Sequence, residues 1–375
     1  MKIALVHDHL AQDGGAEKVL HSFHKIWPKA PIFILLYDKD SAPKYIPFEN
    51  IQTSFIQKLP GGIKNYKWYL PFMPTAIEKF DLMAFDVVLS SSSALAKGVI
   101  TAPHSLHISY THTPTRYLWS DTHKYIEELP YRRIMKKIIP FCLTYLRMWD
   151  RMAADRVDHF IANSGIVKQR IRKYYKHESD VIFPPVDTTK FTPAANPTRD
   201  YFLVGGRLVP YKRFDIAIQA FNRLKIPLKV FGAGPDMARL KSMAGKNITF
   251  VGRVSGEELA TLYQDAKALI FPQVEDFGIV PLEAMAAGTP VIAYKAGGAL
   301  ETVVAGKTGI FFEEQGWGDL SKAVVQFKST QFDAKTIRAH AEKFSTEIFE
   351  KNIKEYVEGK WKQHKSLFNI SLNNN

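Results

Sequence analysis

Short apolar runs separated by helical stretches mark the first half of the chain. Runs of this length, bounded by polar or glycine-containing turns, are typical of buried strands. They predict strands at residues 2–6, 31–37, 86–90, 106–110 and 157–163. The alternation of strands and helices predicts a parallel α/β sheet. After the first run, Asp13-Gly14-Gly15-Ala16 predicts a glycine turn that leads into a helix from about Glu17 and lets the backbone approach a ligand closely.

The alternation stops between residues 181 and 197, where prolines and polar residues predict a linker. A second series follows, with strands predicted at residues 201–205, 228–232, 248–251, 267–271, 289–294 and 309–312. We therefore predict an α/β fold of two Rossmann-like doubly wound domains, residues 1–192 and 193–345, facing each other across a ligand-binding cleft. An amphipathic helix from about residue 346 to 366 is expected to pack, with the rest of residues 346–375, on the first domain.

The stretch EDFGIVPLEAMAAGTPVIAY, residues 275–294, holds Glu275 and Glu283 with seven residues between them. Pro281 is predicted to open a helix, because its missing N–H would be unpaired in the first turn, and Gly288 is predicted to close it. Strands on both sides place the helix N-terminus at the carboxyl edge of a sheet, where anions and ligands bind. The alternative is a structural crossover with surface glutamates.

A basic loop follows the first strand of the second domain. It contains Gly205-Gly206-Arg207 and, after a turn with Pro210, Lys212. Arginine can bind a diphosphate through paired hydrogen bonds and lysine acts as a point charge, so the loop suits such a ligand. The alternative is an ordinary solvated loop. Glycine-containing strand ends at residues 231–235 and 251–254 are predicted at the same sheet edge, which makes the combination more specific than any single loop.

Composition and charge narrow the class of protein. The chain has 375 residues, of which 46% are hydrophobic, and its one cysteine, Cys142, excludes an intrachain disulfide and fits a reducing compartment. The net charge of +13 indicates an anionic partner, whether nucleic acid, membrane surface or phosphorylated substrate. The first apolar run stops after Val6 and predicts no signal peptide, and the apolar run at residues 138–146 is too short to cross a bilayer.

The motifs together resemble the retaining glycosyltransferases of family 4, which have the two-domain GT-B architecture. The resemblance rests on Glu275 and Glu283 with the loop at residues 277–280, on Gly206-Arg207 with Lys212, and on GALETV and GKTGIFF at residues 298–303 and 306–312. In the first domain it extends to GGAE at residues 14–17 and YTHTPTRYLW at residues 110–119. The His-Thr-Pro loop, RMWDRMAADRVDHFIANS and GRLVPYK are similar to the O-antigen mannosyltransferase branch.

The resemblance implies roles for individual residues. Glu283 would hold the nucleotide ribose and Glu275 the hydroxyls of the transferred sugar, while Arg207 and Lys212 neutralise the phosphates. His112 would position outer hydroxyls of the sugar, although a core histidine is the alternative. The implied catalytic residues are Glu275, His112, Arg207 and Lys212, and the implied donor contacts are Gly14, Gly15, Gly206, Arg207, Lys212, Gly252, Arg253, Val254, Glu275, Phe277, Gly278, Ile279, Val280 and Glu283.

The resemblance also implies a reaction. A sugar, with mannose from GDP-mannose as first choice and UDP-sugars as second, would pass to a polyprenyl-diphosphate-linked or other saccharide acceptor in surface polysaccharide synthesis. Attack would come from the face that the leaving phosphate occupies, and the phosphate oxygen would take the acceptor proton. Such a reaction requires no enzyme nucleophile, cofactor or metal.

Rival hypotheses remain open at this point. Glu275 and Glu283 are also compatible with a glycosidase pair, although a hydrolase needs no phosphate-binding loop. Asp38-Lys39-Asp40 matches the D-x-D motif of metal-dependent glycosyltransferases, and His7 and His9 are candidate metal ligands. The basic charge is compatible with nucleic-acid binding, but no nucleic-acid motif is present, so we expect no such partner.

Basic and aromatic residues interleave in two segments of the first domain. The segment at residues 130–151 holds six basic residues and one acid, and residues 64–72 have the same character. Both predict contact with an anionic membrane surface, hence a peripheral protein on the cytoplasmic face of the cell membrane. The alternative is a helix packed by its apolar face with solvated charges. Pro140 is predicted to break the helix. The basic residues are Arg132, Arg133, Lys136, Lys137, Arg147 and Arg151, and the interleaved apolar residues are Tyr131, Ile134, Ile138, Phe141, Tyr145 and Trp149.

Overall fold

The computed structural model describes residues 1–12, 14–43, 45–46, 48–63, 65–128 and 133–373. The chain forms two compact units, of which the first joins Met1–Pro184 to Phe349–Asn375 and the second is Pro185–Ile348. Within the described ranges, no helix combines the length and the apolar character needed to cross a membrane.

The first unit is built on a seven-stranded parallel sheet with the order β3-β2-β1-β4-β5-β6-β7. All five predicted strands are confirmed, whereas β3 and β7 were not predicted, because each has only three residues and polar positions among them. The strands are β1 (Ile3–His7), β2 (Ile32–Ile34), β3 (Ile51–Thr53), β4 (Val87–Ser92), β5 (Leu106–Thr111), β6 (His159–Ala162) and β7 (Ser179–Val181).

Helices cover the sheet of the first unit. They are α1 (Gly15–Ile26), α2 (Met73–Glu78), α3 (Thr122–Glu128), α4 (Arg133–Ala154) and α5 (Gly165–Arg170), and the chain-terminal helix of this unit, numbered α13, is Thr346–Asn373. From α13, Phe349, Ile353 and Val357 are buried in the core cluster that contains Phe23 and Tyr110. Their spacing of four residues places them on one helix face, so α13 is an integral part of the first unit's core.

The second unit contains a six-stranded parallel sheet with the order β10-β9-β8-β11-β12-β13. All six predicted strands are confirmed: β8 (Tyr201–Gly205), β9 (Leu228–Phe231), β10 (Ile248–Gly252), β11 (Ala266–Phe271), β12 (Val291–Tyr294) and β13 (Gly309–Phe312). The helices are α6 (Phe214–Leu224), α7 (Met237–Met243), α8 (Gly256–Gln264), α9 (Ile279–Ala286), α10 (Ala299–Thr302), α11 (Trp317–Gln326) and α12 (Ala334–Ala341).

Three local predictions need correction. Pro140 does not break α4, which continues through it; the exposed position lets water satisfy the carbonyl that proline leaves without a donor. Helix α9 begins at Ile279, two residues before Pro281, because Gly278, with φ of +92°, turns the chain into the helix and proline still lies in the first turn. Helix α13 extends to Asn373, beyond the predicted end near residue 366.

Candidate active site

The sheet of the second unit has one topological switch point, between β8 and β11. There the strand order reverses, and the loops after the two strands diverge to leave a crevice at the carboxyl edge. Lys212 comes from the loop after β8 and Glu275 from the loop after β11, and Lys212 Nζ lies 3.1 Å from Glu275 Oε1. The structure therefore brings together two predicted site residues that are far apart in the sequence. Arg207, from the same loop as Lys212, is exposed.

Backbone contacts fix the loops at this edge. Gly206 N donates to Phe231 O at 3.2 Å, and Gly232 N donates to Gly252 O at 2.7 Å, so the loops after β8, β9 and β10 lie side by side. Gly232 has φ of +100°, and an added Cβ would come within 1.8 Å of Gly206 O. Only glycine is compatible with this packing, and the consequence is a backbone surface open to a ligand near Lys212.

The backbone of Glu275 is also anchored. Gly298 N, from the loop after β12, donates to Glu275 O at 2.8 Å. The carboxylate can therefore rotate only about its own side-chain bonds, and it is largely shielded from solvent at 19% exposure. The pair with Lys212 places a hydrogen-bond acceptor that suits hydroxyl groups beside a cation that suits an anionic group.

Glu283 lies inside α9 and is 7% exposed. Its Oε2 accepts a hydrogen bond from Tyr263 Oη, from α8, at 3.3 Å. Burial, followed by the charge of Glu283, raises the pKa of Tyr263 well above its ordinary value, so the phenol remains protonated and donates. Tyr263 was not predicted as a site residue, because its position in α8 resembles that of any core aromatic.

The apolar loop at residues 277–280 is divided between the core and the edge of the sheet. Phe277 is buried and packs against Phe344 with ring centroids 5.8 Å apart, whereas Gly278, Ile279 and Val280 are half-exposed at the start of α9. The first-turn N–H groups of α9 are thus available at the carboxyl edge of the sheet. Gly252 and Val254 are half-exposed and Arg253 is exposed on the loop after β10.

A second cluster of polar residues lies at the switch point of the first unit, between β1 and β4. His112 follows β5, and its Nε2 lies 2.9 Å from Ser91 Oγ. Ser91 Oγ lies 3.1 Å from His7 Nδ1, and His7 ends β1. The alternative that His112 is a core histidine is not supported, since its side chain is half-exposed.

Glu17, in the first turn of α1, completes this cluster. It is 1% exposed, and its Oε1 lies 3.9 Å from His7 Nε2. Burial would raise the pKa of Glu17, but the neighbouring His7 outweighs this effect and lowers that pKa, so the carboxylate is ionised. Gly14 and Gly15, predicted donor contacts, lie just before it at the half-exposed N-terminus of α1.

A cavity of about 270 Å³ opens beside these residues within the first unit. The polar residues Glu17, His9 and Gln12 line it, together with the aromatic residues Tyr66 and Tyr117. Asp8 forms another part of the wall and accepts backbone N–H bonds of 2.6–2.9 Å from Ser93, Ala94, Leu95 and Ala96. A carboxylate with four such bonds fixes the loop after β4, so the cavity is preformed on that side.

Other predicted candidates have simpler explanations or lie outside the described residues. Asp38 Oδ1 accepts the backbone N–H of Asp40 at 3.2 Å, which is a local turn contact. In the described part of the chain, no three or more histidine, cysteine, aspartate and glutamate side chains group as a metal site. Asp13, Lys64, Pro130, Tyr131 and Arg132 lie outside the described residues.

Two tandem doubly wound domains, with a basic residue and carboxylates at a switch point, define a class of protein that binds phosphorylated, hydroxyl-rich ligands. Residues 13–190 match the family described as Glycosyltransferase Family 4, and residues 186–344 match the family described as Glycosyl transferases group 1. Together the two matches span both units, and the chain belongs to the family 4 glycosyltransferases.

Relatives agree with this assignment. The chain is 28% identical over 204 residues to an uncharacterized glycosyltransferase of Methanocaldococcus jannaschii, covering 53% of this chain and 58% of the relative. It is 36% identical over 155 residues to the GDP-mannose-dependent alpha-(1-6)-phosphatidylinositol monomannoside mannosyltransferase of Mycolicibacterium smegmatis, covering 34% and 41%. The chain thus spans about half the length of these curated relatives.

Solved structures share the GT-B fold. HepE of Anabaena in complex with UDP superposes with a TM-score of 0.68 at 18% identity, covering 96% of this chain and all of that one. Sucrose-phosphate synthase of Thermosynechococcus elongatus superposes with a TM-score of 0.72 at 17% identity, covering 96% and 99%. The predicted fold of two Rossmann-like domains is therefore confirmed.

Proposed function

We propose that the protein is a retaining glycosyltransferase that moves a sugar, mannose from GDP-mannose, onto a lipid-linked or other saccharide acceptor in surface polysaccharide synthesis. The observation that carries this proposal is the Lys212–Glu275 pair at the switch point of the second unit. Its cation suits a diphosphate and its carboxylate suits sugar hydroxyls, so the two halves of a nucleotide sugar find complementary groups side by side.

The other residues then take defined roles. Arg207 and Lys212 stabilise the charge that develops on the leaving nucleoside diphosphate, and the first-turn N–H groups of α9 support it. Glu283 accepts hydrogen bonds from the ribose. His112, at the switch point of the first unit, contacts the transferred sugar. The acceptor hydroxyl attacks from the side of the leaving phosphate, which takes its proton, so no protein nucleophile and no metal ion are needed.

Two donors compete in this proposal. The mannosyltransferase relative named as GDP-mannose-dependent and the O-antigen branch resemblance favour GDP-mannose, whereas HepE, solved with UDP, favours a UDP-sugar. We expect isothermal titration calorimetry to show tighter binding of GDP than of UDP. Tighter binding of UDP would make a UDP-sugar the proposed donor in place of GDP-mannose. Binding of neither nucleotide would contradict the glycosyltransferase proposal itself. Hydrolysis of a simple glycoside in the absence of a nucleotide sugar would favour a glycosidase instead.

The surface of α4 supports the membrane part of the proposal. Five apolar residues spaced three or four apart form one exposed stripe, at 49–78% exposure. The opposite face packs through Leu143 and Leu146 against Leu118 and Leu70, and Leu70 belongs to the segment Tyr66–Phe72, which exposes Trp68 and Phe72. Both segments predicted to contact a membrane are therefore adjacent. The residues of the stripe are Ile138, Phe141, Tyr145, Met148 and Met152.

For the proposed membrane contact of α4, the exposed apolar residues are a stronger argument than the basic ones. Arg147 donates to Leu118 O, Arg151 pairs with Asp155, and Lys136 donates to Glu127 O at 2.6 Å, so three of the six predicted basic residues have partners within the unit. Lys137 is exposed. One face of α4 packs into the unit, as the alternative of a packed amphipathic helix predicted. However, α4 also carries a second apolar face, which is exposed.

The stripe yields a direct test. Phe141→Glu is expected to weaken binding to vesicles that contain anionic lipid at least about tenfold, because it replaces an inserted aromatic by a charge repelled by the lipid headgroups. The matched control is Val325→Glu on α11, since Val325 is likewise an apolar residue that is mostly exposed, at 70% against 78% for Phe141. Sedimentation with vesicles measures the effect. If the unaltered protein does not sediment with such vesicles at low salt, the membrane proposal is wrong.

A further inference from the structure

Three adjacent strands of the first unit bring His7, Ser91 and His112 into one line at the carboxyl edge of the sheet. In the parallel register His7 lies opposite Ser91, and His112 follows directly after β5. Ser91 has no exposed side-chain surface and His7 is 2% exposed. Hydrogen bonds in such a dry place cannot be exchanged for water, so their directions are fixed by the groups themselves.

The contacts indicate where each hydrogen lies. His7 Nδ1 is 3.2 Å from the carbonyl oxygen of Ser91 and 3.1 Å from its Oγ. A carbonyl oxygen only accepts, so we assign a hydrogen to His7 Nδ1. Among the described residues, the partners of Ser91 Oγ are His7 Nδ1 and His112 Nε2. Because the first already bears a hydrogen, the hydroxyl hydrogen of Ser91 points at the second.

We propose that Ser91 is a positioning residue that holds His112 in the tautomer with a bare Nε2 and its hydrogen on Nδ1. The 2.9 Å contact between Ser91 Oγ and His112 Nε2 fixes the ring orientation at the same time. His7 orients the serine, and the ionised Glu17, 3.9 Å from His7 Nε2, lies behind His7. None of the sequence motifs indicated Ser91, since it occupies an ordinary interior strand position.

The consequence for the site rests on the proposed function. With a hydrogen on Nδ1, His112 is a hydrogen-bond donor through that nitrogen and suits an oxygen of the transferred sugar. In the opposite tautomer Nδ1 would be an acceptor, and the same contact would be lost even with the ring in place. Ser91 therefore acts on the reaction through His112 without contacting the substrate.

The first experiment needs no substrate. In protein labelled with ¹⁵N-histidine at about pH 8.5, roughly two units above the ordinary histidine pKa, proton–nitrogen spectra report which ring nitrogen is protonated. The signals of His112 are assigned by their loss in His112→Gln. We expect hydrogen on Nδ1 in the unaltered protein and a change towards the Nε2-protonated form in Ser91→Ala. Hydrogen on Nε2 in the unaltered protein would overturn the proposal.

The second experiment uses a neighbouring serine as its control. Ser90 is equally buried and its Oγ lies 3.0 Å from His107 Nε2, but His107 is fully buried and burial lowers its pKa to about 4. Release of nucleoside diphosphate from GDP-mannose, or from UDP-glucose if UDP binds more tightly, is measured in both alanine variants. We expect Ser91→Ala to lower kcat about 10- to 100-fold, comparable to the cost of removing a partner that orients a metal-ligating histidine, and Ser90→Ala to change it less than about twofold.

A double variant separates positioning from general damage. If Ser91 acts through His112, Ser91→Ala should cause no further loss in a His112→Ala background, because the group it positions is gone. Equal losses in Ser90→Ala and Ser91→Ala, or additive losses in the double variant, contradict the proposal. Absence of any nucleotide binding would instead refute the proposed function, while the tautomer of His112 would still test Ser91.

Discussion

Glu275→Ala is expected to lower kcat for sugar transfer about a thousandfold, equivalent to about 4 kcal/mol, while a nucleoside diphosphate still binds. The carboxylate is assigned to the sugar, so its loss removes contacts that tighten during transfer. The structure adds a sharper expectation, because Glu275 pairs with Lys212 at 3.1 Å. Without that partner the Lys212 charge is wholly available to the diphosphate, and GDP affinity should stay equal or rise. Steady-state kinetics and calorimetry measure the two effects.

Substitutions of two further glutamates serve as a comparison and a control for Glu275→Ala. Glu283→Ala should weaken GDP binding by about 1–3 kcal/mol, because the ribose loses charged hydrogen bonds. Glu313→Ala removes an exposed carboxylate that pairs with Lys295 at 2.7 Å and should change neither quantity. Undiminished turnover in Glu275→Ala would refute the assignment of Glu275, and a parallel loss of GDP binding would reassign it to the nucleotide.

Lys212→Ala is expected to lower kcat about 100- to 1,000-fold and also to weaken GDP binding by about 1.5–3 kcal/mol. The side chain is 14% exposed, so its charge acts on the phosphates with little screening by water. The substitution also removes the contact with Glu275, which leaves that carboxylate near the phosphates without a counter-charge. Calorimetry with GDP, together with turnover of GDP-mannose, distinguishes this pattern from that of Glu275→Ala.

The matched control is Lys295→Ala, which removes an exposed lysine from the ion pair with Glu313. It should leave both measurements unchanged. Because Arg207 and Lys212 supply the positive charge in the proposed mechanism, transfer should also persist in EDTA. Loss of activity in EDTA, restored by a divalent ion, would show that the phosphate assignment is incomplete.

The strands were predictable because each buried parallel strand is a short apolar run between turns, as at Leu106–Thr111 and Tyr201–Gly205. Prediction failed where tertiary packing outweighed a local sequence rule, or where an element was too short to show a pattern. The rule that proline ends a helix gave a wrong prediction at Pro140, because an exposed proline can be accommodated in a helix of 22 residues held by its other face. Strands as short as Ile51–Thr53 carry too few positions for any pattern.

The site was partly predictable because the strands that carry it are recognisable in the sequence. Lys212 and Glu275 belong to motifs, and both lie after apolar strands, so their meeting at one edge follows from the parallel topology. Ser91 and Tyr263 carry no such signal, since a lone serine in a strand or a tyrosine in a helix has many uses, and Glu17 belongs to the GGAE motif but was given no role there. Their roles depend on which strands become neighbours, and that information is not local in the sequence.

The last helix has a consequence for synthesis on the ribosome. The first unit's core includes Phe349, Ile353 and Val357, which are translated after every residue of the second unit. At the boundary, Val186 N donates to Phe344 O at 3.0 Å, so both ends of the second unit are already paired when residue 345 has emerged. The second unit can therefore finish folding while the first still lacks part of its apolar core. The nascent first unit then remains exposed to chaperones and proteases until α13 has emerged from the ribosome.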